Sequence, residues 1–461
     1  MKKIFLILAI GCISLCTSAQ DKSLFFLDGV PQSSRINPAD TLNFKAYIGI
    51  PGLSSINFGA KSSSLSFADI FKKGTGANKD SLYVDLNNIE QKLRSNNFIG
   101  FETNLDILDF GFRARKSFLS FTLSSRTSGI FSFSDDIASL RYGNVDMGTL
   151  TPRDISLNDF KFNGSSYVEL GVGYARSINS KLTVGGRLKI LNGLAGIKTS
   201  SFKAHVKTTP DFETSTIVAR GEVYIQAPCL DFEYNDKGEI DGINFDKEYS
   251  FSTNLGMGVD LGATYQLTDK LTLQGSITDL GFIRWKNSSY RLILDGEYDY
   301  NGADITPDAN GEIDFEKAFT SIIDTLKSKF KPTDESASFT TRLNASFYLG
   351  GTYDIAKWLK GGILFNGKLY ESAFEPRVTA SLNFKPANAF QLNVNYTSHF
   401  RDAGNLGAAI VVGMKAFQFY MLVDNIPFRY IGLNTDDTSS HISIPGYAQS
   451  LACHLGFNIQ F

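Results

Sequence analysis

Apolar residues recur at every second position along most of this sequence. The segment 451–461 shows the pattern most clearly. Its apolar positions are Leu451, Cys453, Leu455, Phe457, Ile459 and Phe461. Small or polar residues fill the positions between them. Because the side chains of a β-strand alternate between two faces, the segment is predicted to be a strand with one apolar and one polar face.

Similar alternation marks further segments of about nine residues, a length that crosses a bilayer when the strand is tilted. These segments are 181–190, 259–267, 271–278, 342–349, 377–384, 390–397 and 417–424. Their polar row mixes charged residues with Gly, Ser and Asn, which suits a water-filled lumen. A soluble antiparallel sandwich also alternates, but its apolar row faces a core and its polar row faces water.

The connections between these segments differ in length. Short turns such as 179–180 and 268–270 contrast with long polar stretches such as 231–248 and 300–312. This contrast is typical of outer-membrane barrels. The predicted fold is therefore all-β: a transmembrane antiparallel up-and-down β-barrel of about 14 strands. Wall side chains alone do not fill so wide a barrel, so we expect either a plug or a pore.

The first residues predict export. Two lysines, a short apolar run and small residues ending at Ala19 form a secretory signal peptide, with cleavage before Gln20. A lipoprotein processed at Cys12 is the alternative. The predicted division is a signal peptide at 1–19, an N-terminal luminal plug at 20–41 and a barrel at 42–461.

The last strand predicts an assembly route. Phe457, Ile459 and Phe461 form an apolar row that ends on an aromatic residue. We expect the barrel-assembly machinery to recognise this row, and outer-membrane lipid and lipopolysaccharide to surround the folded barrel. His454 lies on the opposite, luminal row, where we expect it to have no partner. The expected location is the outer membrane of a Gram-negative bacterium.

Composition excludes other classes. The formal net charge is −2, which does not point to a nucleic-acid partner. Aromatic residues make up 13% of the chain, and Gly is frequent, as expected of many strands and turns. Cys229 and Cys453 remain after signal cleavage, and two thiols are favoured over one disulfide, because Cys453 lies in the row that faces lipid.

One segment with helical spacing interrupts the strand pattern. Its apolar residues are Phe315, Phe319, Ile322, Ile323, Leu326 and Phe330. Lysines gather at its end, and Pro332 stops it. The helix is predicted to fold onto the barrel rim as part of a loop or to line a ligand pocket. Shorter helices are predicted over 65–71, 82–93 and 135–140.

No pattern points to an enzyme or a cofactor. The four histidines lack metal-ligand spacing, and no nucleophile motif accompanies them. Two acidic stretches, 306–317 and 233–244, partly resemble calcium loops. The first lacks the initial carboxylate and the final glutamate, and the second has Lys237 at a ligand position. Both are better interpreted as solvated loop turns.

The chain resembles a domain-of-unknown-function family of bacterial outer-membrane β-barrels. Segments that carry the resemblance include SSRINPAD, KLTVGGRLKILNGLAG, SITDLGFIRWKNSSY and LGAAIVVGMKAFQFYMLVDNI. That family is distantly similar to long-chain fatty-acid transporters and to secretion-associated barrels. The resemblance implies about 14 strands with an N-terminal segment tucked into the lumen. Asn37, Pro38 and Ala39 resemble a turn near the start of those transporters, and a plain turn is the alternative.

Three functions fit these features. The first is passive transport of hydrophobic or amphipathic small molecules, with a hydrophobic ligand as partner. The second is a non-transporting accessory of secretion or assembly that binds a protein through its loops. The third is a purely structural, occluded barrel. An apolar pocket in the lumen would favour the first function, and a lumen lined only by polar and charged side chains would count against it.

Overall fold

The protein is described by a computed structural model. The structure describes residues 22–40, 42, 44–73, 82–142, 145–146, 149, 151–152, 155–156, 158, 160–208, 215–226, 231–234, 240–244, 254–286, 289–299, 331–333, 338–370, 374–399, 402–414, 416–426, 431–434, 441–444 and 449–461. Within these residues, no helix has the length and apolar character required to cross a membrane.

A closed antiparallel β-barrel of 14 strands dominates the fold, which confirms the predicted class. The strands are β1 (Ala46–Gly49 and Ile56–Ser62), β2 (Asn97–Ala114), β3 (Ser117–Phe133), β4 (Lys161–Ser177), β5 (Leu182–Thr208), β6 (Ser215–Gln226 and Asn254–Gln266), β7 (Leu271–Trp285 and Ser289–Asp299), β8 (Phe339–Arg342 and Ser346–Ala356), β9 (Leu359–Leu369), β10 (Phe374–Ala387), β11 (Phe390–His399), β12 (Asp402–Met414), β13 (Phe417–Ile426) and β14 (Ser450–Gln460). Each strand pairs with its neighbour in the chain.

Pairing of the first and last strands closes the barrel. Tyr47 of β1 lies opposite Gln460 of β14, and Ile56 lies opposite Leu455. The amide of Phe461 donates to the carbonyl of Ala46 at 2.9 Å. Closure leaves the sheet without free edges, because every strand has a neighbour on both sides.

The two faces of the wall are the reverse of those in a soluble protein. Outward-facing Leu188 and Met257 are 65% and 62% exposed, whereas inward-facing Asp106 and Glu169 are 0% exposed. An exposed apolar surface of this kind matches a hydrocarbon surrounding, and the polar row matches a lumen. The predicted assignment of the two rows is therefore confirmed.

Many strands are longer than the nine residues that the alternation predicted. β2 has 18 residues and β5 has 27. The reason is that the ends of these strands extend past the bilayer-sized segment as paired hairpins. For example, residues 196–208 of β5 pair with Ser215–Gln226, and residues 182–193 pair with Asn254–Gln266.

Turns at one end of the barrel are short, and the long connections are at the other. The short turns join β2 to β3, β4 to β5, β6 to β7, β8 to β9, β10 to β11 and β12 to β13. We call this end the short-turn end. The opposite end carries short hairpins, such as Phe71–Lys73 with Leu82–Val84, and others formed by Val145–Asp146 with Thr151–Pro152, Asp231–Tyr234 with Ile240–Asn244, and Ile431–Asn434 with His441–Ile444.

The short helices lie inside the barrel or in its connections. Helix α1 is Lys22–Phe25, followed by a 3-10 helix at Pro31–Arg35; α2 is Phe67–Ile70, α3 is Leu86–Lys92, and a second 3-10 helix is Asp135–Tyr142. The predicted helix over 65–71 is thus reduced to one turn, and the predicted helix over 82–93 begins four residues late. Its first residues, Leu82–Val84, pair as a strand instead.

Helix α3 starts at a capping residue. The Asp85 carboxylate accepts a hydrogen bond from the amide of Asn88 at 3.1 Å and forms an ion pair with Lys72. The hydrogen bond from Lys72, together with the helix amides, holds the pKa of Asp85 below its usual range. This cap explains why the helix begins after Asp85.

Candidate functional site: the plugged lumen

Residues 22–40 run through the lumen in its short-turn half, and we call them the plug. The apolar side chains of the plug pack against one side of the wall. The cluster contains Leu24, Phe25, Phe26, Leu27, Val30 and Ile36 of the plug with Tyr348, Leu364, Ala409, Val411, Tyr420 and Leu422 of the wall. Glycines make room for it, since a Cβ at Gly362 would lie 2.6 Å from the ring of Phe26. The predicted luminal position of the N-terminal segment is confirmed.

Polar contacts anchor the start of the plug. The hydroxyl of Ser23 donates to Asp424 at 2.5 Å, and the amide of Lys22 donates to the same carboxylate at 3.0 Å. The Lys22 ammonium donates to Asn425 Oδ1 at 3.2 Å. Asn383 donates to the carbonyl of Phe26 at 2.8 Å. Buried polar groups are costly unless paired, so these contacts fix the plug against β10 and β13.

Arg35 ties the plug to the opposite wall. Its guanidinium binds both oxygens of Asp106, one of them at 2.6 Å, and reaches Asp109 at 2.9 Å. Tyr47 donates to Asp109 at 2.7 Å, and Ser124 donates to Asp106 at 2.9 Å. A fork of donors facing two buried carboxylates is the geometry in which an arginine binds most strongly.

A bulge in β2 creates this acidic pair. Strict alternation would place Asp106 and Asp109 on opposite faces, because they are three residues apart. The register of β2 against β3 shifts between Asp106 and Leu108, so both carboxylates point inward. The sequence signal was available: Ile107 and Leu108 are adjacent apolar residues that break the alternation. We did not predict the site from it.

The predicted turn at Asn37, Pro38 and Ala39 is a specific contact with the wall. Asn37 Oδ1 accepts from the amide of Ala39 at 3.0 Å, and its amide nitrogen donates to Thr264 at 3.0 Å. A Cβ at Gly185 would lie 2.2 Å from the carbonyl oxygen of Pro38. The turn therefore presses against wall strands whose glycines leave space for it.

Ion pairs line the lumen between the plug and the opposite end, and we call them the charged belt. They are Lys61 with Glu375, Arg377 with Glu375, Lys368 with Glu102, Arg126 with Glu169, and Lys189 with Asp260 and Asp279. A cavity of about 60 Å³ separates the belt from the plug and is lined by residues of both, including Arg35 and Lys189. Its size admits only a few waters.

An apolar cluster lies on the other side of the belt from the plug. It contains Tyr167, Leu191, Ile283, Trp285, Phe339 and Leu343, and we call it the aromatic cluster. The Trp285 ring stacks on Phe339 at 5.7 Å and donates through its indole nitrogen to Thr341 at 2.9 Å. A Cβ at Gly193 would lie 2.4 Å from this ring. The absence of a side chain at Gly193 thus lets the indole pack directly against the wall.

Leu343 belongs to this cluster because β8 is interrupted. The alternation over 342–349 predicted one continuous strand with Leu343 facing outward. The strand breaks between Arg342 and Ser346, and Leu343 is 9% exposed and packs against the luminal Gly281. That prediction was wrong, because a break allows the chain to change face.

The predicted isolation of His454 was also wrong. Its Nε2 lies 2.8 Å from Ser55 Oγ and 2.9 Å from Tyr420 Oη, between the interrupted part of β1 and β13. The luminal position of the ring was predicted correctly. Its partners come from elements distant in the sequence, which period-two alternation does not locate.

The remaining predicted residues fall in two groups. Phe457 of β14 and Phe461, which directly follows it, face outward and are 36% and 62% exposed. Ile459 lies in the same row. Ala19, Gln20, Cys229 and the predicted helix with Phe315, Phe319, Ile322 and Leu326 lie outside the described residues. The calcium-like stretch 306–317 lies outside them too, and so do residues 235–239 of the stretch 233–244. No group of metal-binding side chains occurs in the described part of the chain.

A family comparison assigns the sequence. Residues 38–424 match the family of unknown function DUF5723. The chain belongs to that family. A search of curated proteins finds no relative that matches it.

Solved barrels resemble the structure at low identity. A FadL homologue of Pseudomonas aeruginosa shares 10% identity over 94% of this chain and 95% of its own, with a TM-score of 0.44. The Pseudomonas putida toluene transporter TodX shares 10% identity over 93% of this chain and 94% of its own, with a TM-score of 0.41. The porin KdgM shares 8% identity over 88% of this chain and 99% of its own, with a TM-score of 0.24.

Proposed function

We propose that this protein resides in the outer membrane and passes small hydrophobic or amphipathic molecules by passive transport. The observation that carries the proposal is the aromatic cluster around Trp285, a group of apolar side chains packed together on the luminal side of the wall. An apolar solute that packs among these side chains loses contact with water, which favours its binding there.

The plug provides a second apolar surface. Phe25, Phe26 and Leu27 pack on wall residues such as Leu364. A solute that left the aromatic cluster would meet the charged belt and then this interface. Passage through the interface requires the plug to shift, because its side chains are buried. As the plug shifts, the solute would replace its side chains against the wall, so the apolar area of the wall stays out of contact with water.

Uptake of the apolar fluorophore N-phenylnaphthylamine by Gram-negative cells tests the proposal. The two tryptophans give a matched pair: Trp285 is luminal and buried, and Trp358 is on the outer surface and 50% exposed. Trp285→Gln places an amide in the apolar cluster, so we expect about tenfold slower uptake. Trp358→Gln should leave the rate unchanged.

The two variants should reach the outer membrane in equal amounts, which heat-modifiable migration of the folded barrel measures. Uptake by cells with the wild-type protein that does not exceed uptake by cells without it would overturn the transport proposal.

A non-transporting barrel that binds a protein partner through its loops is the second candidate. The observation in its favour is the small size of the cavities in the described part of the lumen, about 50 and 60 Å³ beside the charged belt and about 230 Å³ beside the plug. This candidate predicts a stoichiometric partner in detergent extracts and no uptake above background. The transport candidate predicts the reverse.

A further inference from the structure

Exposed cations gather on or beside the short turns of the barrel. They are Arg115, Lys116, Arg176, Lys181, Lys270 and Lys357, which we call the cationic rim. None of them forms an ion pair with another residue that the structure describes. The exposed acids beside them are Asp269 and Asp354. Lys360 in the barrel mouth lies 3.9 Å from Asp354, but its closer partner is Asp28 at 2.8 Å. The rim therefore carries uncompensated positive charge.

Aromatic side chains mark where the bilayer surface meets this end of the barrel. The exposed aromatic residues near the short turns are Phe112, Tyr174, Tyr265, Tyr353, Trp358, Phe417 and Phe461. Rings in such girdles lie at the level of the lipid headgroups. The girdle fixes the depth of the barrel in the membrane independently of the cations.

The cationic rim lies just beyond that girdle. Arg176 follows Tyr174 by two residues, about 7 Å along a strand, and Lys357 directly precedes Trp358. Both cations therefore lie at the depth of lipid phosphates. Long Lys and Arg side chains reach across a few further ångströms while keeping their charged groups in the interface.

We propose that the cationic rim binds the headgroups of anionic phospholipids in the periplasmic leaflet. Short turns of outer-membrane barrels face the periplasm. Phosphate groups are bound by an ammonium as a point charge and by a guanidinium through paired hydrogen bonds. Clusters of such cations at a membrane surface attract anionic lipid. The inference requires the membrane placement under the proposed function, but it does not require transport.

The arrangement favours a lipid leaflet over an acidic protein. The six cations belong to the turns that follow β2, β4, β6 and β8, so they extend along an arc that spans more than half of the barrel. Lys270 and Lys357 line a cleft at the barrel mouth, but the other four cations lie outside it and share the outer surface with exposed rings. An arc beside an aromatic girdle matches the shape of a leaflet.

Native mass spectrometry of the full chain with an equimolar mixture of phosphatidylglycerol and phosphatidylcholine tests the proposal. The wild type should retain phosphatidylglycerol with about fivefold preference. A variant with Lys116→Gln, Lys181→Gln, Lys270→Gln and Lys357→Gln should lose it. The matched control replaces four exposed cations far from the short turns: Lys203→Gln, Arg220→Gln, Arg284→Gln and Lys286→Gln. It should keep the preference.

Several results would overturn the proposal. One is equal lipid preference in the wild type and the rim variant, and another is an equal loss in both variants. Rim substitutions that abolish binding of soluble polyglutamate but leave the lipid preference intact would assign the surface to an acidic protein. Insertion of the wild type into pure phosphatidylcholine vesicles tests membrane placement by itself. A failure of the membrane placement can therefore be told apart from a failure of the lipid proposal.

Discussion

At the scale of single residues, the contact between Arg35 and the acidic pair of β2 ties the plug to the wall through two buried carboxylates. Asp106 and Asp109 are both buried, and each has a second donor besides Arg35. Buried charges are stable only when counter-charges and hydrogen-bond donors surround them. The sequence predicted that residues 20–41 enter the lumen. It did not predict this partner, since the bulge at Ile107 changes which side chains face inward.

Arg35→Ala should therefore destabilise the folded barrel by about 3–5 kcal/mol, because two buried carboxylates lose their counter-charge. Arg220→Ala is the control, because Arg220 forms an ion pair with Asp295 in which both side chains are mostly exposed. Removing an exposed pair costs about 0–1 kcal/mol. The measurement is the free energy of unfolding from denaturant titration in detergent. Equal losses in the two variants would contradict the assigned role of Arg35.

At the scale of elements, alternation in the sequence identifies the wall strands and their faces. The outward rows of β5 and of Asn254–Gln266 in β6, and the inward polar rows of β10 and β11, agree with it. Interruptions do not follow from alternation: β1 is split between Gly49 and Ile56, and β8 between Arg342 and Ser346. Splits and bulges depend on contacts with residues that are distant in the sequence. In the split of β1, for example, the hydroxyl of Tyr420 donates to the carbonyl of Ser54.

The contact between β5 and the plug gives an element-scale prediction with adjacent residues. Gly185→Ala adds a methyl group where the Pro38 carbonyl lies 2.2 Å away, whereas Gly186→Ala meets no atom closer than 3.5 Å. Crowding against backbone should displace the turn at 37–39 and expose the plug, at a cost of about 1–3 kcal/mol.

Trypsin digestion of the folded barrel reports this displacement. Cleavage after Arg35 should accelerate in Gly185→Ala and stay slow in Gly186→Ala. Slow cleavage in both variants would mean that the plug tolerates the methyl group and that the close contact does not position it.

At the scale of the whole molecule, three layers of side chains follow one another along the lumen. From the short-turn end these are the plug, the charged belt and the aromatic cluster. A barrel of 14 strands is too wide for wall side chains to fill. On that ground the sequence predicted either a plug or a pore. It did not predict the order of the layers, because each luminal row read alone mixes polar, charged and small residues.

The central claim is that the plug closes the barrel, and single-channel conductance in planar bilayers tests it most directly. Wild-type protein should show no steady conductance, because the plug packs across its short-turn half. A variant that lacks residues 22–40 should conduct ions, with heat-modifiable migration as the check that its barrel has formed. A steady open conductance in the wild type, or a folded deletion variant that does not conduct, would contradict the claim.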